Sequence, residues 1–145
     1  MDIEEILARL EKVGLAIIAS TDSDGRPHAR PIHIGVADQT GIYFMTSPET
    51  DFYKQITEHP YVAITSYHEQ DYLIEVIRIE GLVRPVDKQL LSRLLENNPY
   101  VNQVYPDSEK RSYMQVFQCY KGDGFYHSLT QGHRYTFSFD TENDI

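Results

Sequence analysis

Two stretches hold the side chains best suited to grip an anion. In Gly41-Ile-Tyr-Phe-Met-Thr-Ser-Pro-Glu-Thr-Asp-Phe-Tyr-Lys54, strand-forming residues pass into a helix through Thr46, Ser47 and Thr50. Free backbone N–H groups at a helix N-terminus and the helix dipole both favour negative charge there. Three hydroxyls and Lys54, one turn on, add donors, which makes a phosphate cradle. A plain helix cap accounts for the same residues, and Glu49 and Asp51 favour that simpler reading. In Arg26-Pro-His-Ala-Arg-Pro-Ile-His-Ile34, Arg30 shares strand parity with the apolar Ile32 and Ile34. A guanidinium on a core-facing row needs a partner. A bound phosphate or carboxylate would serve bidentately, and so would one of the 22 acidic side chains.

Other chemistry is poorly served. His28 and His33 fall on opposite faces of one strand, and none of the six histidines shows helix spacing or Cys/His clustering suited to zinc. Cys119 is the single cysteine, lies in an apolar run and reads as a small buried hydrophobe. It can make no internal disulfide, which agrees with a reducing compartment and a cytoplasmic protein. No Ser-His-Asp or paired-carboxylate context stands out. A net charge of −9 repels nucleic acid, and no apolar run approaches a membrane span. The eleven tyrosines suit barrel and interface packing.

The elements that must position these residues are mostly strands. Ile3, Ile6, Leu7, Leu10 and Val13 predict a helix over Asp2–Val13, stopped by Gly14. Leu15–Ala19 is apolar on both faces and reads as a strand covered on both sides. A turn at Asp24-Gly25, a second strand over Pro27–Val36, a turn over Ala37–Gly41 and a third strand over Ile42–Thr46 predict a meander. Ser47 as N-cap and Pro48 as first residue predict a short helix with Phe52 and Ile56 inward, ended by His59-Pro60. Strands follow at Tyr61–Tyr67 and Tyr72–Val83, around a turn over His68–Asp71. Asp87 caps a leucine helix closed by Asn97-Asn98-Pro99. Tyr100–Arg111 reads as loop with a helical turn. Tyr113–Tyr120 and Phe125–Leu129 predict a hairpin about Lys121–Gly124, with a last strand at Arg134–Phe139 and a frayed tail over residues 140–145. The 145 residues therefore predict one mainly-β domain, an antiparallel barrel of six to eight strands with peripheral helices.

The order of these pieces resembles the pyridoxamine 5'-phosphate oxidase-like FMN-binding split barrels. The likeness rests on the Asp-Gly turn, Pro27-His-Ala-Arg-Pro31, Ile-Tyr-Phe-Met-Thr46 and Tyr-Lys-Gln-Ile-Thr-Glu-His-Pro60, and continues to Gly81. The short nitroimidazole-resistance flavoproteins are the nearest in pattern. The resemblance implies a homodimer with FMN at the interface, lined by Arg30, Pro31 and Ile32, with Thr46 and Ser47 beside it, Lys54 on its phosphate and Tyr53 a further candidate. It implies an FMN-dependent oxidoreductase acting on a small molecule, or a non-catalytic flavin- or haem-binding module of the same fold. Two departures argue against a pyridoxal phosphate synthase. Asp51 and Phe52 stand where those enzymes place a basic pair, and the chain has no tryptophan where they carry one near the C-terminus.

Overall fold

The first helix, α1 (Ile3–Val13), opens on Asp2, whose carboxylate accepts the Glu5 N–H, and closes on Gly14 at φ 75°. It lays Ile6, Leu7 and Leu10 into the core. The computed structural model describes residues 1–98 and 100–143. Eight strands follow: β1 (Leu15–Thr21), β2 (Pro27–His33), β3 (Val36–Asp38), β4 (Gly41–Thr46), β5 (Tyr61–Gln70), β6 (Leu73–Val86), β7 (Gln115–Ser128) and β8 (Arg134–Asp140). They form one antiparallel sheet in the order β2-β1-β5-β6-β7-β4-β3, with β8 also on β7. Helix α2 (Asp51–Glu58) lies between β4 and β5. Between β6 and β7 come a 3-10 turn (Lys88–Leu90), α3 (Leu91–Asn97) and two short helices, α4 (Val101–Val104) and α5 (Ser108–Ser112). The architecture is the mainly-β split barrel with peripheral helices that the pattern predicts.

The expected meander gives way to two hairpins. The predicted second strand breaks at Ile34-Gly35, so β2 pairs with β1 while β3 folds back on β4. The reason is packing against α3. A β-carbon on Gly35 would lie 2.3 Å from Leu94 Cδ2, and Asn97 Nδ2 donates to the Gly35 carbonyl at 2.7 Å. The second turn accordingly narrows to Gln39-Thr40. Helix α2 begins later than Ser47-Pro48 predicts. Thr50 is its N-cap, accepting the Tyr53 N–H, and Ser47–Glu49 form the preceding turn. Phe52 and Ile56 are buried as expected. Strand β5 runs on to Gln70, and the turn falls at Asp71-Tyr72, both at positive φ (50° and 68°). That geometry matches the right-handed twist of a hairpin.

The predicted hairpin about Lys121–Gly124 does not form, because β7 is a single 14-residue strand through that region. Its glycines serve close approach. A β-carbon on Gly122 would lie 2.4 Å from the Glu80 carbonyl oxygen, and one on Gly124 would lie 2.0 Å from Phe137 Cζ. The register of β7 against β6 shifts between Leu82 and Val83, leaving Tyr120 as an extra residue. Along its other edge β7 bonds β4 with its first half and β8 with its second. This division splits the barrel. Asp140 ends β8 and Thr141–Asn143 make one 3-10 turn; the last two residues of the expected frayed tail, and Pro99 of the expected helix stop, lie outside the described residues.

Strand β1 is buried on one face only, contrary to its two-sided apolar pattern. Ala16, Ile18 and Ser20 face the core, while Leu15 and Ile17 are 62% and 44% exposed. Tyr61 and Tyr67 of β5, each 56% exposed, extend this uncovered apolar face.

Candidate functional site

The barrel does not close between β2 and β4. Among the described residues, the sheet path ends at β2 on one side and at β3 on the other, and β3 covers β4 only over Gly41–Tyr43. A pocket of about 710 Å³ occupies this seam. It runs along the edge of β2 and takes lining from both faces of that strand: Arg30 and Ile32 from the inner, Pro31 and His33 from the outer. Met45, Thr46, Thr50 and Phe52 close the α2 end; Gly35, Leu94, Asn98, Tyr100, Val104 and Tyr105 close the other. Leu15 also lines it, so the pocket opens onto the exposed apolar face.

Arg30 is held at the α2 end by neutral groups. Its Nη1 donates to Ser20 Oγ at 2.7 Å, the His28 carbonyl at 3.1 Å and the Ile18 carbonyl at 3.3 Å. Its Nη2 donates to Gln55 Oε1 at 3.1 Å, and Ser20 Oγ donates to that same oxygen at 2.6 Å. The guanidinium lies 4.4 Å from the centre of the Phe52 ring. No carboxylate pairs with it among the described residues, and no Asp, Glu or Lys lines the pocket. Of the two partners the sequence left open for Arg30, the internal acid is therefore absent. Burial pulls its pKa down from 12.5, but a guanidinium stays ionised at neutral pH. The result is one positive charge with no internal counter-ion.

Thr46 Oγ1 lies 3.2 Å from Thr50 Oγ1, and Thr50 Oγ1 donates to the Ser47 carbonyl. Two of the three expected cradle hydroxyls, Thr46 and Thr50, thus stand together and line the same pocket as Arg30, with Thr50 serving also as helix cap. Of the seven residues the sequence nominates, the structure brings Arg30, Pro31, Ile32 and Thr46 to the pocket wall. Ser47, Tyr53 and Lys54 lie nearby in the turn and on α2 without lining it. Tyr53 stands edge-on to Phe117 at 5.7 Å, and Lys54 is exposed. Three participants carried no sequence signal of their own: Ser20 and Gln55, which orient Arg30, and Tyr105, which lines the far wall; Phe52, expected only as a core residue, also supports Arg30. Burial keeps the His33 pKa below 6.5, so the ring is neutral at pH 7. Cys119 is buried and its thiol is pushed up to about 12, consistent with an inert core residue. Among the described residues no cluster of His, Cys, Asp and Glu could hold a metal ion, and no helix is long and apolar enough to cross a membrane.

Known proteins agree with this architecture. The chain is 28% identical over 101 residues to a pyridoxine/pyridoxamine 5'-phosphate oxidase of Burkholderia multivorans, covering 70% of this chain and 46% of that protein. To the Pseudomonas syringae pv. tomato protein of the same name it is 35% identical over 72 residues, 50% of this chain and 33% of the relative. The chain thus spans less than half the length of these two curated relatives. A NimC/NimA family protein from Clostridium acetobutylicum superposes with TM-score 0.76 over 94% of this chain and 92% of that one, at 23% identity. A heme binding protein from Mycobacterium smegmatis superposes with TM-score 0.71 at 12% identity, covering 95% of this chain and 59% of that one. Both structures share the fold. Residues 3–119 match the family model described as pyridoxamine 5'-phosphate oxidase, and the chain belongs to that family.

Proposed function

We propose that two copies of the chain pair through the apolar face of β1, β2 and β5, and that each pocket holds FMN where the copies meet. The observation that carries this reading is the unneutralised Arg30 guanidinium, set in a pocket that opens from the barrel seam onto an uncovered apolar face. A volume of about 710 Å³ suits a ligand of flavin size. Arg30 binds the phosphate, with Thr46 and Ser47 supplying hydroxyls and Lys54 a second positive charge from the rim. Pro31 and Ile32 give the ring system apolar contact, and Tyr53 packs behind them. When bound, FMN supplies the electron transfer, from a nicotinamide or another donor to a small acceptor such as a quinone, a nitro compound or oxygen. The chain's own part is to hold, orient and shield; no side chain is assigned as acid or base. Asp51 and Phe52, in place of a basic pair, set this protein apart from a pyridoxal phosphate synthase. It acts in the cytoplasm as a single-domain homodimer.

The test is the visible spectrum of the purified protein during gel filtration, with and without added FMN. Flavin bands travelling with a dimer are expected. A colourless protein that ignores FMN overturns the reading. A second reading, a flavin- or haem-binding module without turnover, draws on Glu49 and Asp51 flanking the Thr50 cap, which weaken the phosphate grip. A Soret band, or a loaded flavoprotein that oxidises neither NADH nor NADPH with any acceptor, selects it.

A further inference from the structure

The pocket has two unlike ends. Arg30 and Gly35 are five residues apart on and just beyond an extended strand, so the ends are separated by roughly 16 Å. At the Arg30 end stand the guanidinium and the threonine hydroxyls. At the Gly35 end the wall is Leu94, Asn98, Tyr100, Val104 and Tyr105, from α3 and the segment leading into α5. This wall carries no charge. Its polar groups are neutral, and the nearest ionisable base, His33, is kept neutral at pH 7 by its own burial.

Tyr105 is the informative residue. It packs against the satellite core of Val36, Tyr43, Leu91, Leu94, Met114 and Val116, which fixes the ring. Burial raises its pKa above 10, so the phenol remains a hydrogen-bond donor at any physiological pH. Tyr105 lines the pocket and is part-exposed, and its hydroxyl makes no hydrogen bond among the described residues. A donor held this way without an acceptor is suited to an oxygen that arrives with a ligand.

We infer that the α3–α5 wall selects an uncharged, flat, oxygen-bearing acceptor of quinone type, and that Tyr105 is a specificity-determining residue that donates to its carbonyl oxygen. The inference rests on FMN occupying the Arg30 end. With Arg30 spent on the cofactor's phosphate, a second phosphate would enter a wall that offers nothing to neutralise it. This chain's wall therefore disfavours a phosphorylated amine, while a neutral ring loses nothing. A hydroxyl that pairs with the ligand discriminates more sharply than apolar shape alone.

The test uses binding rather than turnover. FMN-loaded protein is titrated with 1,4-naphthoquinone and, separately, with pyridoxamine 5'-phosphate, read by the change in the flavin spectrum and by calorimetry. Saturable naphthoquinone binding and no detectable pyridoxamine phosphate binding are expected. Tyr105→Phe, which keeps the ring, should weaken naphthoquinone about fivefold. Val104→Lys, at a 59% exposed position on the rim, should admit the phosphorylated ligand. Pyridoxamine phosphate binding as tightly as the quinone overturns the inference, as does unchanged quinone affinity in Tyr105→Phe. Failure to load FMN at all overturns the cofactor reading, and this one with it; normal loading with the wrong preference overturns this one alone.

Discussion

Leu94 Cδ2 occupies the space where a side chain at residue 35 would begin, 2.3 Å from the position of a β-carbon on Gly35. Rotating the leucine would clear Cδ2, but its Cα at 3.2 Å and Cβ at 3.3 Å remain tight, so α3 must also give by a few tenths of an ångström. Gly35→Ala should push α3 away from the β2–β3 break and cost about 1–3 kcal/mol, as overpacked sites do. Urea unfolding measures the loss. Because α3 carries the far wall of the pocket, quinone affinity should fall in the same variant.

Arg30→Ala removes four hydrogen bonds and the contact with Phe52. The site is part-exposed, so water replaces some of them, and the stability loss should be modest, about 1–2 kcal/mol. FMN affinity should fall at least tenfold. Lys54→Ala should leave stability within about 0.5 kcal/mol of the parent and weaken FMN a few-fold. Flavin titration of both proteins separates the two roles, and unchanged affinity in Lys54→Ala removes that residue from the site.

Ile17 pairs with Pro31 on one side and Thr65 on the other, in the middle of the uncovered apolar face. Ile17→Lys is expected to leave the folded monomer intact, since the residue is exposed there, and to abolish dimerisation. Sedimentation or gel filtration reads the change directly. A variant that still elutes as a dimer would place the interface elsewhere.

His33 gives the pH dependence a definite sign. Its folded pKa lies below 6.5 because burial disfavours the charged ring. Below the unfolded value the unfolded chain binds this proton more readily. The stability tied to the neutral ring is therefore fully present above pH 6.5 and is lost as the pH falls through the folded pKa. Urea midpoints taken from about pH 7.5 down to about pH 5 should decline, and His33→Gln should flatten that decline.

What could be read from the sequence was set by local rules. Asp2 and Gly14 mark α1, and Phe52 with Ile56 mark the buried side of α2, because caps and periodicity act within a few residues. Arg30 announced itself by parity alone. The errors arose where distant contacts decide. Gly122 and Gly124 read as a turn because their packing partners, Glu80 and Phe137, lie far off in sequence. The break at Gly35 depends on Leu94, 59 residues away. Ser47-Pro48 is a good helix start in isolation, yet Thr50 wins because its hydroxyl reaches the Tyr53 N–H. Ser20 and Gln55 gave no signal, since their value lies wholly in being placed beside Arg30.

The position of β7 has a consequence for synthesis of the chain. Everything up to Met114 forms two separate hydrogen-bonded patches: the four strands β2, β1, β5 and β6, and the small hairpin β3–β4. They join only when Gln115–Ser128 slots between β6 and β4. Until Gln115–Ser128 has emerged from the ribosome, a nascent chain therefore carries two open strand edges, the configuration in which neighbouring chains pair by mistake. The segment Gln115–Ser128 commits the fold, and truncation ahead of it should yield aggregate rather than half a barrel.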